Sequence, residues 1–281
     1  MKTEKLYVIA FSPTGTSRAV ASAIASGTGI CETEYIDLGK PGSKPEITLP
    51  ENVVAVISVP VYGGMAAPVA MERLAGIKGV GTPVVLVAVY GNRSYGKALE
   101  QLSVFAAESG FVPVAAGAFV GEHSYSTPSR PIAEGRPDGS DIACAEALGR
   151  AVSEKLSSAD GLPDAIDVTR MKRPPSPVLS VLRFMYTALR IRRRQKKNPV
   201  PVMPVTDAGL CTHCGRCVRM CPTGAIEKGR ELFTDSGLCI KCCACVKGCP
   251  SSARTLESPY ARVLSECFSK IRSNLFSDRV C

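Results

Sequence analysis

The chain has 281 residues, of which 45% are hydrophobic, with no tryptophan, two histidines and a formal net charge of +9. That length allows one or two domains with sizeable cores, and so few histidines leave little general-base chemistry, which argues against a hydrolase. The charge is uneven: residues 1–165 balance to −4, residues 166–206 to +9 and residues 207–281 to +4, so the excess describes a local docking surface and not the whole molecule.

Met1-Lys2-Thr3-Glu4-Lys5 leads straight into an apolar run without a signal-peptide pattern, which predicts a cytoplasmic setting and reduced thiols. Lys5–Ser12 reads as a buried strand, Ser17–Ser26 as a helix, Glu34–Leu38 as a short edge strand and Val53–Val59 as a second buried strand. Ala70–Ile77 reads as a helix, Pro83–Tyr90 as a third buried strand, Lys97–Ser109 as a helix and Val112–Phe119 as a further strand. Asp141–Leu156, opened by Ser140 or Asp141, carries Ala145, Leu148, Val152 and Leu156 at helical spacing. Continuous apolar runs separated by helices predict a parallel sheet covered on both faces in residues 1–158. Ligands of such sheets sit at the carboxyl ends of the strands.

Three loops leave those ends. Ser12-Pro13-Thr14-Gly15-Thr16-Ser17 offers hydroxyls, a glycine and the free amides of a helix N-terminus, a cradle for phosphate. It has neither the lysine of a nucleotide-triphosphate loop nor G-x-G-x-x-G. Pro60-Val61-Tyr62-Gly63-Gly64-Met65 and Tyr90-Gly91-Asn92-Arg93-Ser94-Tyr95-Gly96 each pair an aromatic ring with glycines, which suits close approach to a flat ligand. Residues 121–139 form a long loop at the same edge, expected as a lid, a docking surface or a solvated loop. His123 in that loop is a candidate proton donor.

Residues 159–206 form a linker that is basic and contains Pro174, Pro175 and Pro177. Val178–Lys197 reads as a helix with Ser180, Arg183, Thr187, Arg190 and Arg194 on one polar stripe and apolar residues around the rest. Arginine interrupts it too often for a bilayer span. Two partners stay open for its apolar surface: the neighbouring domain, or an anionic membrane surface. A short basic run without a recognised module does not favour nucleic acid.

The strongest signal follows. Cys211, Cys214, Cys217 and Cys221 read C-x2-C-x2-C-x3-C before Pro222, and Cys239, Cys242, Cys245 and Cys249 repeat the phrase before Pro250. This is the ligand run of paired four-iron clusters, in which the fourth cysteine serves the other cluster. Cys211, Cys214, Cys217 and Cys249 are assigned to one cluster, and Cys239, Cys242, Cys245 and Cys221 to the second. A zinc site needs neither the third cysteine nor the proline. Cys31, Cys144, Cys267 and Cys281 are expected as small buried apolar residues, Cys243 as a bystander and His213 as a spacer.

The hydroxyl-rich loop resembles the FMN phosphate loop of flavodoxins. With the two tyrosine–glycine loops and the cysteine repeat, nearly the whole chain resembles a family in which a flavodoxin-like domain is fused to a two-cluster ferredoxin. The resemblance implies a doubly wound five-stranded parallel sheet in residues 1–158, a linker in 159–206, a small α+β ferredoxin domain in 207–258 and a tail or helix in 259–281. It implies FMN and two 4Fe-4S clusters as cofactors. Ser12, Thr14, Gly15, Thr16 and Ser17 would bind the FMN phosphate, Tyr62, Gly63 and Gly64 one side of the ring, and Gly91, Asn92, Arg93 and Tyr95 the other. Flavodoxins often place tryptophan on one flavin face, and this chain has none. The implied function is electron transfer between FMN and the clusters; the positive charge of residues 207–281 suggests an acidic redox protein as partner, or docking against the negative first domain. The alternatives are a flavin-dependent reductase of quinones, nitro compounds or another small acceptor, and a redox sensor that binds membrane or nucleic acid through its linker.

Overall fold

The computed structural model describes residues 3, 5–159, 161, 163–171, 177–270, 273–276 and 279–280. Pro174, Pro175 and Cys281 lie outside the described residues.

Five strands form a parallel sheet: β1 (Lys5–Ala10), β2 (Glu32–Asp37), β3 (Val53–Tyr62), β4 (Thr82–Tyr90) and β5 (Phe111–Val120). Their order is β2-β1-β3-β4-β5, all parallel. This is the doubly wound order of flavodoxin-like folds, whose ligand crevice opens where the winding reverses between β1 and β3. Every residue of β4 is buried, as expected of a central strand with both faces covered. Edge strand β2 (ETEYID) has no buried residue, and its charges blunt that edge.

Helices α1 (Thr16–Thr28) and α4 (Gly139–Ser158) cover one face, where Val20, Ile24, Leu148 and Val152 pack on Val8, Val56 and Val87. Helices α2 (Pro68–Leu74) and α3 (Ala98–Glu108) cover the other, where Leu74, Leu99 and Leu102 meet Ile9, Ile57 and Leu86. A Cβ on Gly27 would lie 2.1 Å from the Glu146 carbonyl oxygen, and one on Gly149 2.1 Å from that of Ile24. The two glycines therefore set how closely α1 and α4 approach. The cap of α4 is Asp138, not Ser140 or Asp141. Its carboxylate accepts from the Ser140 and Asp141 amides at 2.9 and 3.1 Å, and the Asp141 carboxylate accepts from the Asp138 amide at 2.7 Å. Together they form a reciprocal capping box. Ile77, expected as the end of a helix, instead opens a short strand, Ile77–Gly79, parallel to Ile47–Leu49.

The remaining helices are α5 (Val178–Lys197), α6 (Arg216–Met220), α7 (Ala244–Lys247) and α8 (Ala261–Cys267). The cysteine repeats lie around α6 and α7, and Val205–Thr206 pairs antiparallel with Arg254–Thr255 to close this region. Past α8 the chain returns to the sheet: Leu275 and Phe276 pair antiparallel with Ala118 and Gly117 of β5. Asn274 locks the return, because its Oδ1 accepts from the Val120 amide at 2.8 Å and its Nδ2 donates to Asp141 at 2.5 Å. Among the described residues no helix is long and apolar enough to cross a membrane.

Candidate functional site

A cavity of about 360 Å³ opens at the carboxyl ends of the strands, within the size range of small-molecule sites. The first loop contributes Ser12, Thr14, Thr16 and Ser17 to its wall. Helix α1 begins here, and its cap residue, Gly15, has no side chain to take up the leading amides. The Ser12 Oγ accepts from the Arg18 amide at 3.0 Å, and the Ser17 carbonyl accepts from the buried Ser58 Oγ at 3.0 Å. The Ser17 Oγ itself is fully buried and has no hydrogen-bond partner. An orphaned hydroxyl at a helix N-terminus is the polarity that a phosphate would satisfy. Gly15 does not line the cavity. Its φ of 90° makes the left-handed turn into α1, and that turn places its neighbours.

Tyr62, Gly63 and Gly64 form a second part of the wall, and Gly91 and Arg93 a third. These loops are clamped together: the Lys97 amide donates to the Gly64 carbonyl at 2.7 Å, and a Cβ on Gly96 would lie 2.1 Å from that same oxygen. Asn92 and Tyr95 stand apart from the cavity. Asn92 is fully buried, and its Nδ2 donates to the carbonyls of Phe268 and Lys270 at 2.7 and 3.0 Å, bracing the loop against the C-terminal segment. Tyr95 is in the core, edge-on to Tyr90 at 6.0 Å.

The rest of the wall comes from distant parts of the chain. Glu122, His123, Ser124 and Tyr125 enter from the long loop, Phe184 from α5, Tyr260 and Leu264 from the α8 region, and Ile240 and Lys241 from the second cysteine repeat. A Cβ on Gly91 would lie 2.4 Å from the His123 ring, so glycine is what lets the ring approach that backbone. The His123 Nδ1 accepts from the Tyr125 amide at 3.0 Å, which leaves the neutral ring's proton on Nε2. Burial first, then the Lys247 and Arg93 charges, lower its pKa to about 4. Arg93 lies 5.1 Å from the Phe184 ring, and burial lowers its pKa as well. Burial, and after it Cys242 and Cys243, hold the Tyr62 phenol well above its ordinary range. The long loop meets the cysteine region directly through a 2.6 Å ion pair between Glu122 and Lys247.

The eight repeat cysteines gather in two further cavities. One is ringed by Cys211, Cys214, Cys217 and Cys249, the other by Cys221, Cys239, Cys242 and Cys245, with Cys243 also on its wall. Each set takes its fourth thiol from the other repeat, the crossing that the spacing predicts. The repeats match in detail. Asp207 accepts from the Gly209 and Leu210 amides, and Asp235 does the same for Gly237 and Leu238. His213 and Lys241, and likewise Gly215 and Cys243, occupy equivalent positions at positive φ, folding each loop tightly around its cavity. The Asp-x-Gly-Leu ahead of each run was present in the sequence as an unread signal.

The sets differ in exposure. Cys221, Cys242 and Cys245 are buried, whereas Cys214 is exposed. Without a bound group, burial pushes the Cys242 thiol up to about 12 and that of Cys245 to about 11. Buried Arg254 stands by both sets, holding Glu231 O at 2.6 Å through one nitrogen while its Nε has no partner. Among the described residues no three His, Cys, Asp or Glu side chains converge on a point that one metal ion could fill. Thiols that ring a cavity fit a polynuclear group instead. Cys243, expected as a bystander, is buried with its thiol 3.6 Å from the Lys241 carbonyl oxygen. Cys31 is exposed, contrary to expectation, because it precedes edge strand β2. Cys267 is buried as expected. Cys144 is buried but disulfide-bonded, contrary to the reduced-thiol expectation.

Residues 204–227 match a family described as a 4Fe-4S binding domain, a stretch containing the whole first cysteine run. The solved structures similar to this chain cover its N-terminal part. A flavodoxin from the domain Archaea is 15% identical over 54% of this chain and 99% of its own, with a TM-score of 0.35. Oxidised flavodoxin 2 from Bacillus cereus is 14% identical over 54% and 99%, with a TM-score of 0.39. An apo NADH:FMN oxidoreductase is 12% identical over 58% and 95%, with a TM-score of 0.39. No curated protein matches the chain. The flavodoxin-like assignment stands on the strand order, and a 4Fe-4S motif of ferredoxin type follows it in the same chain.

Proposed function

We propose that this chain is an electron-transfer iron–sulfur flavoprotein, with FMN in the large cavity and a 4Fe-4S cluster in each thiol-ringed cavity. The observation that carries this reading is Ile240. It lies between Cys239 and Cys242 and lines both the large cavity and the cavity of Cys221, Cys239, Cys242 and Cys245. One side chain thus separates the two sites, which suits short-range electron exchange. FMN supplies exchange of one or two electrons and each cluster exchange of one.

The chain's own residues bind and orient. Ser12, Thr14, Thr16 and Ser17 would hold the phosphate, with Gly15 as the turn that presents them. Tyr62, Gly63 and Gly64 would flank one side of the ring and Gly91 and Arg93 the other, with Asn92 and Tyr95 as supports behind them. The His123 Nε2–H stays available as a neutral hydrogen-bond donor at the cavity wall. Cover from Phe184, Tyr260, Leu264 and Ile240 favours a carrier over a reductase of free small acceptors, because these side chains would leave a bound ring less open to a free acceptor. The exposed thiol set around Cys214, flanked by exposed Arg216 and Arg219, is the port at which electrons are exchanged with a partner, and that partner is an acidic redox protein. The domain limits 1–158, 159–206, 207–258 and 259–281, and the cytoplasmic setting, are part of the same proposal.

Anaerobic stopped-flow reduction of the protein and of C221S tests the relay. Flavin bleaching should follow cluster reduction in the parent chain and slow sharply in C221S, whose inner thiol set lacks one ligand. Equal flavin bleaching rates in both would remove the cysteine region from the path.

A further inference from the structure

Helix α5 leaves a row of large apolar side chains exposed. Val178, Leu179, Leu182, Met185, Tyr186 and Leu189 are 72, 81, 60, 50, 63 and 49% exposed, and no residue of the helix is buried. The helix is nonetheless anchored by its opposite side. Val181 and Phe184 pack against Val263, Leu264 and Phe268, the Phe184 and Phe268 rings lie 5.5 Å apart, and Arg183 pairs with Glu266. The outward row runs 178, 182, 185, 189 at the helical repeat. The same row continues through Arg192 and Lys196, so it is apolar in its first turns and cationic in its last. The helix holds seven Lys and Arg and no acidic residue.

We propose that this face docks α5 flat on an anionic lipid bilayer surface, with the leucine row in the acyl boundary and the terminal cations on lipid phosphates. A ridge of apolar side chains bordered by arginines is the pattern of interfacial helices, and juxtamembrane cations bind anionic leaflets. Charge excludes a second copy as the occupant. An antiparallel pair would set cations on leucines, a parallel pair would set cations on cations, and no acidic residue on the helix compensates either. The proposal does not depend on the flavin reading.

Co-sedimentation of the full-length, cluster-loaded protein with vesicles tests it. Phosphatidylcholine vesicles containing phosphatidylglycerol should bind the protein, and pure phosphatidylcholine vesicles should bind it far more weakly. High salt should release it. L182E/L189E, at exposed positions, should keep the cluster absorbance and lose binding. R192Q/R193Q should weaken partition by about fivefold per arginine. Failure to bind the anionic vesicles, equal binding to neutral ones, or unchanged binding by L182E/L189E would each overturn the proposal. So would a vesicle-free dimer that L182E/L189E dissolves, which would give the face to a second copy, or capture by an acidic protein without vesicle binding.

Discussion

Replacing Ser17 with alanine separates ligand binding from stability, and the two effects carry opposite signs. The Ser17 Oγ is fully buried and has no partner in the protein alone. Such a group costs about 1–3 kcal/mol of desolvation when left unpaired, so S17A should stabilise the flavin-free chain by up to that amount. In the complex the same hydroxyl would donate to a phosphate oxygen. A hydrogen bond to a charged group contributes about 1.5–3 kcal/mol, which corresponds to a loss of roughly ten- to hundredfold in FMN affinity. Riboflavin, which has the ring but no phosphate, should bind both chains equally. Urea unfolding of the flavin-free protein and fluorescence titration with FMN and riboflavin measure all three quantities. An S17A protein that binds FMN as tightly as the parent, or loses riboflavin affinity in parallel, would refute the phosphate assignment of the Ser12–Ser17 loop.

Other predictions follow from the same geometry. C249A should lose the cluster of Cys211, Cys214 and Cys217 and keep the buried one, leaving about four of eight irons; retention of the exposed cluster's spectrum would disprove the crossing. N92A strips the donor from the carbonyls of Phe268 and Lys270 and should cost about 1–3 kcal/mol, read as a lower Tm; an unchanged Tm would show that the brace is idle. His123 titrates near 4 in the folded chain against 6.5 ordinarily. Only the unfolded chain gains the proton between those values, so stability falls as pH drops from 6.5 to 4, by about 3 kcal/mol from this group. H123Q should flatten that part of the denaturation profile, and a profile that keeps its full slope would contradict the burial assigned to the ring.

The parts of this architecture that were legible in the sequence are those with a local signal. Val53–Val59, apolar but for Ser58, and Pro83–Tyr90, an unbroken apolar run, fold as β3 and β4. Eight cysteines at fixed spacing fix their own grouping, because a tight loop presents three thiols to one cavity and leaves the fourth for the next. Asn92 and Tyr95 sit in a loop whose other residues do face the cavity, but their direction depends on the tail and the core behind them. The return strand Leu275–Phe276 is two residues long and carries no periodicity to read; β5 dictates it from more than 150 positions away. Phe184, Ile240, Tyr260 and Leu264 reach the cavity through tertiary docking, which no spacing encodes. Helix α5 was legible as amphipathic, yet only its packing on α8 reveals which of its sides faces out.

Cofactor content of anaerobically purified protein tests the central claim most directly, by iron and acid-labile sulfide assay, flavin identification after acid release, and absorbance before and after dithionite. The account predicts one FMN and two four-iron clusters per chain, with both flavin and cluster bands bleached by the reductant. Clusters without flavin would contradict it, leaving the Ser12–Ser17 loop and its cavity to another ligand.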